Sequence, residues 1–232
     1  INKQPDMEAI GAAPDPLVLV GLKHRTKQSL DGVWRYVLDP FDTARRKPRS
    51  RRTFWLGERE VPGGPLIEYE WATSPEITVP GDWNSQIEEL TWYEGPAYFQ
   101  RTFRTSPPPG HRSFLVFEAV NYRASVWLNQ QEMGHHEGGF TPFVFEVTDK
   151  LRAEDNLLVV RADSRPHAQG LPSVDFDWKN YGGITRPVWL VHLPQTYIRD
   201  VVVRLEGGAL CADIRLDGPD AANQPVRCTI PG

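Results

Sequence analysis

One stretch of this sequence concentrates side chains that could contact a ligand: FDWKNYGGITRPVWL, residues 176–190. Its first eight positions hold a carboxylate, an amide, three aromatic rings and two glycines. Asp177 has two interpretations. As a turn residue it would accept hydrogen bonds from nearby backbone N–H groups; as a binding residue it would accept them from groups outside the protein. Because aspartate is common in turns, the residue type alone favours the turn.

Other groups of polar residues fit a catalytic or metal site less well. HHEGG (135–139) offers two histidines, but adjacent residues of a strand point to opposite faces, so we expect no metal there. Its glycines, followed by residues 140–143, are instead expected to form a turn that leads into a strand. Glycosidase carboxylates must lie about 5–9 Å apart across a cleft, which closeness in sequence does not indicate. The chain also has no nucleophile elbow, phosphate loop, HExxH or paired CxxC motif. We therefore predict no catalytic residue and no cofactor within this chain. The glutamate pairs considered are Glu58/Glu60, Glu68/Glu70 and Glu88/Glu89.

Composition limits the class of protein. The 232 residues are 40% apolar and include eight tryptophans, which is enough for a core. The net charge of −4 gives no general attraction to nucleic acid or to an anionic membrane, and no apolar run is long enough to span a bilayer. The two cysteines, Cys211 and Cys228, cannot form a disulfide scaffold. One isolated disulfide is the alternative, but we expect both to be unpaired core residues.

Short apolar or alternating runs separated by turn residues dominate the chain. In residues 113–120 the alternation predicts a half-buried strand. The 21 prolines and 19 glycines oppose long helices, and only TDKLRAED (148–155) reads as a helical turn. The pattern predicts an all-β sandwich or jelly roll. The predicted strands are 32–38, 76–80, 97–103, 113–120, 124–130, 143–148, 156–163, 187–193, 198–206, 209–216 and 226–230.

A domain boundary is predicted near residues 193–201. About three strands follow it, fewer than the seven or so of an immunoglobulin-like sandwich. We therefore expect three regions: a lead segment (1–28), a jelly-roll domain (29–194), and the first strands of a second β domain that this chain does not finish (195–232).

The segment ARRKPRSRR (44–52) is strongly basic, with six basic residues in positions 45–52. Such a cluster could bind nucleic acid or direct localisation. A solvated loop between strands is the preferred interpretation, because Pro48 interrupts the cluster and the chain as a whole is acidic.

Seven sequence blocks, in order, resemble the N-terminal sugar-binding domain of glycoside hydrolase family 2, the family of the β-galactosidases and β-glucuronidases. Any one block is weak evidence, but seven in the family's order over residues 29–193 are specific. The blocks are SLDGVWRYVLDP (29–40), VPGDWN (79–84), WYEGPAYFQRTF (92–103), VFEAVNYRASVWLN (116–129), MGHHEGGFTPFVFEVT (133–148), NLLVVRADSRP (156–166) and DWKNYGGITRPVWL (177–190).

The resemblance implies a galactose-binding-domain-like jelly roll, then an immunoglobulin-like domain, then a (β/α)₈ barrel that supplies two catalytic glutamates for retaining hydrolysis. A barrel needs about 250 residues, so we expect this chain alone to be inactive. The long insertion between Pro40 and Ile77 favours the β-glucuronidase branch over the β-galactosidase branch, although the barrel decides most of the sugar specificity.

The resemblance also implies a role for the opening stretch, because the family has a loop of the pattern D-[FW]-x-N-Y-x-G-[IL]-x-R over the barrel mouth. Asp177 matches the aspartate that binds substrate hydroxyls, and an ionised carboxylate could hold two of them. Loop support is expected from Asn180, Tyr181 and Arg186, with Arg186 paired to a carboxylate or to loop carbonyls. Trp178 would stack on the sugar or, as we prefer, pack on a neighbouring domain. Asn180 and the Gly182–Gly183 pair would adopt positive φ.

Two alternatives come from other functional classes: a free-standing carbohydrate-binding module, or an interface module that supports a homo-oligomer. The expected partners are a β-glycoside and the missing domains, with no nucleic acid and no membrane. The polar start of the chain does not decide the compartment. It fits a periplasmic or secreted protein if it is a processed N-terminus, and a cytoplasmic protein otherwise.

Overall fold

In a computed structural model of the chain, short antiparallel strands alternate with turns. Some segments named above lie outside the residues that the structure describes: the first 18 residues, the basic segment 44–52, and the pairs Glu58/Glu60 and Glu68/Glu70. Among the described residues, no helix is long and apolar enough to cross a bilayer. The described residues are 19, 21–42, 71–168, 170, 171, 173, 174 and 177–228.

A six-stranded antiparallel sheet forms one layer, in the order β3-β2-β5-β10-β7-β8. Its strands are β2 (Gly32–Leu38), β3 (Glu76–Val79), β5 (Pro96–Phe103), β7 (Arg123–Leu128), β8 (Gln131–Glu137) and β10 (Asn156–Asp163).

A four-stranded antiparallel sheet forms the second layer, in the order β1-β12-β6-β9. This sheet begins at Lys27, two residues before the predicted start of the jelly-roll domain at residue 29. Its strands are β1 (Lys27–Ser29), β6 (His111–Phe117), β9 (Phe143–Glu146) and β12 (Val188–Pro194).

The main core lies between the two sheets, where apolar side chains of both inner faces meet. Trp34, Phe99 and Leu128 come from the six-stranded sheet, and Leu115 and Leu190 from the four-stranded sheet. The all-β sandwich predicted from alternation is therefore confirmed.

Residues 113–120 are more buried than predicted. Leu115 and Phe117 enter the main core, whereas Phe114 and Val116 on the opposite face are buried with Tyr197. A half-buried strand is therefore the wrong description, because Leu19 and Leu22 before the sandwich and Tyr197 after it pack on the outer face of this sheet.

A two-stranded antiparallel hairpin follows the sandwich, formed by β13 (Tyr197–Glu206) and β14 (Ala209–Asp217). Tyr197 joins it to the sandwich by an edge contact with Phe114, at 5.4 Å between ring centroids. Arg112 of β6 forms an ion pair with Asp217 of β14. Further along, the hairpin leaves its apolar side chains exposed.

Two local predictions are wrong, and one is right only in part. Residues 148–155 form only a short 3₁₀ turn at Thr148–Lys150, and the described residues of the predicted strand 226–230 are not in a strand. The glycines of HHEGG lie in the turn before β9, as expected, whereas the two histidines lie in β8, a strand that was not predicted. Both cysteines are unpaired as expected, but Cys211 is part-exposed and Cys228 exposed, so neither is a core residue.

Candidate functional site

The loop that carries Asp177 connects β10 to β11 (Gly183–Ile184), a two-residue strand paired with β4 (Gly81–Asp82). Asp177 is exposed, and its carboxylate makes no hydrogen bond or ion pair with any described residue. The capping role that was its alternative therefore has no support among the described residues. An exposed carboxylate without a partner keeps its full capacity to accept hydrogen bonds from a ligand.

The loop starts from a buried ion-pair cluster at the end of β10. Asp163 is buried and accepts hydrogen bonds from Arg165 Nε at 2.9 Å and from Arg161 at 3.0 Å. Both arginines also pair with Asp42. Burial would raise the pKa of Asp163, but the hydrogen bonds from Arg165 and the charge of Arg161 outweigh it and lower the pKa to about 2. Asp163 therefore stays ionised at neutral pH and fixes the loop where it leaves the sheet.

Asn180 fixes the middle of the loop from inside the protein. Its side chain is buried, donates to the carbonyl oxygen of Ser164 and accepts from Asn121 Nδ2 at 2.7 Å. Asn121 Nδ2 also donates to the carbonyl oxygen of Tyr181. Since buried amides are costly unless they are satisfied, this arrangement holds the backbone beside Asp177 in one position.

Gly182 anchors the end of the loop against the helical turn α1 (Trp83–Gln86). Its N–H donates to Asn84 Oδ1 at 2.9 Å, and its carbonyl oxygen accepts from the Trp83 N–H at 3.0 Å. A Cβ at this position would lie 2.0 Å from the fully buried Trp83 ring. Only glycine fits here.

Asn84 links the Asp177 loop to a second loop. Its Nδ2 donates to the carbonyl oxygens of Leu90 at 2.9 Å and Tyr93 at 3.0 Å, while its Oδ1 holds Gly182. The turn that carries Trp92 is thereby fixed relative to the Asp177 loop through one buried side chain.

The prediction that Asn180, Gly182 and Gly183 adopt positive φ is only partly right. Gly183 has a φ of 141° and pairs with Asp82, and a Cβ there would lie 2.7 Å from the carbonyl oxygen of Gly81. Asn180 and Gly182 do not have positive φ. Asn180 is required for its buried hydrogen bonds and Gly182 for the space that Trp83 occupies.

Three of the predicted loop residues lie at the surface. Trp178 exposes 59% of its surface and Tyr181 48%. Arg186 is exposed and donates to the carbonyl oxygen of Phe140 at 3.3 Å, so it contacts a neighbouring loop. The roles assigned to these residues stay predictions.

Sequence reasoning missed Asn84, Asn121 and Trp92 as parts of this site. Asn84 and Asn121 lie inside the quoted blocks, but their partners are 98 and 59 positions away. Trp92 is 83% exposed, whereas its neighbour Tyr93 packs against Trp83. The sequence alone carries no sign of which of the two adjacent rings points outward.

Other arrangements of reactive side chains are structural. Ser113 and Thr105 hydrogen-bond the two ring nitrogens of His192, but all three residues are buried. Burial also lowers the pKa of His192, which favours its neutral form. His135 is exposed while His136 is half-buried and stacks on Phe143, and no cluster of metal-ligand residues occurs in the described part of the chain.

The family described as "Glycosyl hydrolases family 2, sugar binding domain" matches residues 27–194. A β-galactosidase from Clostridium acetobutylicum is 27% identical over 197 residues, covering 78% of this chain and 21% of the relative. A β-glucuronidase from Canis lupus familiaris is 29% identical over 210 residues, covering 77% of this chain and 30% of the relative.

Solved structures show the same similarity. A structure of Bifidobacterium dentium β-glucuronidase complexed with coumarin-3-O-glucuronide superposes with a TM-score of 0.67 at 28% identity. The superposition covers 84% of this chain and 37% of that chain. The sequence thus spans about a fifth to a third of the length of the curated relatives above.

Proposed function

Because the chain belongs to glycosyl hydrolase family 2 through the family's sugar binding domain, we propose that it is the N-terminal sugar-binding region of an exo-β-glycosidase. The full enzyme would cleave β-glucuronides or β-galactosides with retention, using catalytic glutamates of a barrel domain beyond this sequence. Named relatives of both kinds support this pair of substrate classes.

Within that enzyme, Asp177 would bind hydroxyl groups of the sugar. The observation that carries this proposal is an exposed carboxylate that has no partner among the described residues and lies three positions before the buried Asn180. A carboxylate only accepts hydrogen bonds, and its bonds to neutral donors are stronger than those of a neutral acceptor. The anchored backbone beside it lowers the entropy lost when the substrate binds.

The experiment uses the enzyme that carries this sequence at its N-terminus, assayed with 4-nitrophenyl β-D-glucuronide and 4-nitrophenyl β-D-galactoside. Asp177→Asn should lower kcat/KM by about 100-fold on the better substrate, since it replaces a charged acceptor by a neutral one. Asp220→Asn, at an exposed position of the C-terminal region, is the matched control and should leave kcat/KM unchanged. An equal kcat/KM for Asp177→Asn and wild type would refute the assignment.

The isolated chain should hydrolyse neither substrate, because the residues proposed to perform the chemistry lie outside it. Measurable release of 4-nitrophenol by the purified chain, at a rate that scales with chain concentration, would contradict this.

The hairpin would begin the immunoglobulin-like domain of the same enzyme. It exposes a row of apolar side chains that a sandwich would cover, among them Val203, Leu205 and Leu210. The same surface could also contact a second copy in a homo-oligomer. Sedimentation velocity tests the homo-oligomer. If copies associate through the hairpin, Leu205→Lys should lower the sedimentation coefficient, and an unchanged coefficient argues against association through this surface.

A further inference from the structure

Three side chains form a charged aromatic surface beside the Asp177 loop: Trp92, Lys179 and Tyr181. The Lys179 ammonium lies 4.7 Å from the centroid of the Trp92 ring and 5.4 Å from that of the Tyr181 ring. Trp92 is nevertheless 83% exposed, so it keeps most of its indole surface in water. An exposed tryptophan of this extent is unusual, because the ring is among the largest apolar groups a protein carries.

The framework below this surface is as buried as the core. Asn84, 4% exposed, holds the backbone of the Trp92 turn through Tyr93 and that of the Tyr181 segment through Gly182. Trp83 Nε1 also donates to the Tyr93 carbonyl oxygen at 3.1 Å. The two exposed rings and the half-buried Lys179 therefore lie on two loops that one buried cluster holds together, which preorganises the surface for a ligand.

The chemistry of the surface suits a sugar that carries a carboxylate. The C–H groups of a pyranose are weakly positive and pack on the negative face of an aromatic ring. Lys179 adds a cation that keeps N–H groups free for a carboxylate, and such a charge-assisted hydrogen bond is stronger than one between neutral groups. A neutral sugar would use the rings but not the ammonium.

A protein partner suits the surface less well. Lysine is depleted from protein–protein interfaces, and burying Lys179 would remove the water from its charge. A sugar bound on the indole face leaves the ammonium in contact with water.

We propose that Trp92, Lys179 and Tyr181 form a carbohydrate-binding surface that takes a uronate residue, separate from the contact assigned to Asp177. The surface would hold an acidic sugar unit without taking part in bond cleavage.

The experiment titrates the purified chain with matched pairs of methyl α-uronosides and methyl α-glycosides, in the gluco and galacto configurations. Each pair differs only in the C6 carboxylate, and the α linkage separates this binding from that of a β-glycoside. The tryptophan indole N–H signals are followed by NMR. We expect saturable shifts with dissociation constants on the order of 1–10 mM, and the uronoside of at least one pair should bind about fivefold more tightly than its neutral counterpart.

Two substitutions locate the binding. Trp92→Ala should abolish the shifts, and Lys179→Met should make the two members of a pair bind equally. Leu205→Ala and Lys150→Met, which change exposed residues elsewhere, should bind like wild type. Thermal unfolding of each variant shows that the fold is intact.

Three results would overturn the proposal. The first is the absence of saturable shifts with either pair, and the second is unchanged binding in Trp92→Ala. The third is loss of binding in Asp177→Asn with retention in Trp92→Ala, which would place the sugar at the proposed substrate contact instead. Failure of the Asp177 prediction in the full enzyme would leave the results for Trp92 and Lys179 unaffected.

Discussion

Replacement of Asn84 by alanine tests whether one buried amide holds the two loops of the site together. The side chain makes three hydrogen bonds of 2.9–3.0 Å, to Leu90, Tyr93 and Gly182. Alanine would leave the Gly182 N–H without its partner and remove one hydrogen bond each from the carbonyl oxygens of Leu90 and Tyr93, which still accept from the Tyr93 N–H and from Trp83 Nε1. A buried group left unsatisfied costs about 1–3 kcal/mol, and water entering the space left by the amide would recover part of that. We expect Asn84→Ala to lower the free energy of unfolding by about 3 kcal/mol.

Asn129 provides a matched control elsewhere in the sandwich. It is equally buried, donates to Lys150 and Asn156, and accepts from the Leu157 N–H at 2.9 Å. Asn129→Ala should therefore destabilise the chain by a similar amount, with about 1 kcal/mol added because the residue has a φ of 51°. The two variants match in the kind of bonds lost but differ in the loops affected.

Urea unfolding measures the loss of stability, and amide hydrogen exchange together with the indole N–H spectrum locates it. Asn84→Ala should accelerate exchange of the Gly182 amide and shift the Trp83 and Trp92 indole signals. Asn129→Ala should leave both unchanged. A loss below about 1 kcal/mol for Asn84→Ala, or equal exchange of the Gly182 amide in the two variants, would refute the role given to Asn84.

Three further outcomes follow from single residues. Asp163, whose pKa is lowered to about 2 in the fold from an ordinary 3.8, stabilises the fold above pH 4. Roughly 2 kcal/mol of this stabilisation is lost as the pH falls to 2. In urea unfolding at a series of pH values, the free energy of unfolding of Asp163→Asn should therefore fall less with acid than that of wild type. The same pH dependence in both proteins would contradict this. Gly182→Ala should lower the melting temperature more than Gly110→Ala, since the first Cβ meets Trp83 and the second meets only open space at a φ of 68°; equal shifts would show that the contact is relieved. Asp177→Ala should change the free energy of unfolding by less than about 0.5 kcal/mol, and a larger loss in urea unfolding would return this residue to a structural role.

The strands of the sandwich could be predicted because their apolar residues follow the period of a sheet. The sequence NLLVVRAD predicts residues 156–163, which are the bounds of β10. The strand β8 was missed, since its residues are QEMGHHE, it lies at an edge of the sheet and it offers no apolar alternation. Burial of both faces of β6 was missed for a different reason: the side chains that cover its outer face include Leu19 and Leu22, which precede the sandwich, and Tyr197, which follows it.

The residues of the candidate loop could be singled out from the sequence, but their contacts could not. The motif identified Asp177, Asn180 and the glycines, yet the reasons for Asn180 and Gly182 lie in Asn121 and Trp83, which are remote in sequence. A buried amide or a missing Cβ has no local signature when its partner comes from another loop. The same limit applies to Trp92, whose exposure depends on how Asn84 and Trp83 hold the backbone of its turn.

Buried polar groups in this site are concentrated where the Asp177 loop meets the sandwich. Asp163 holds its start, Asn180 its middle, and Asn84 its end through Gly182. Each of these side chains would be costly to bury for stability alone, because an apolar residue could fill the same space without hydrogen bonds to satisfy. What they provide is a fixed backbone geometry under side chains that the described residues leave exposed. This division between buried polar side chains and exposed ones is what we expect of a loop that presents a carboxylate to a ligand in one orientation.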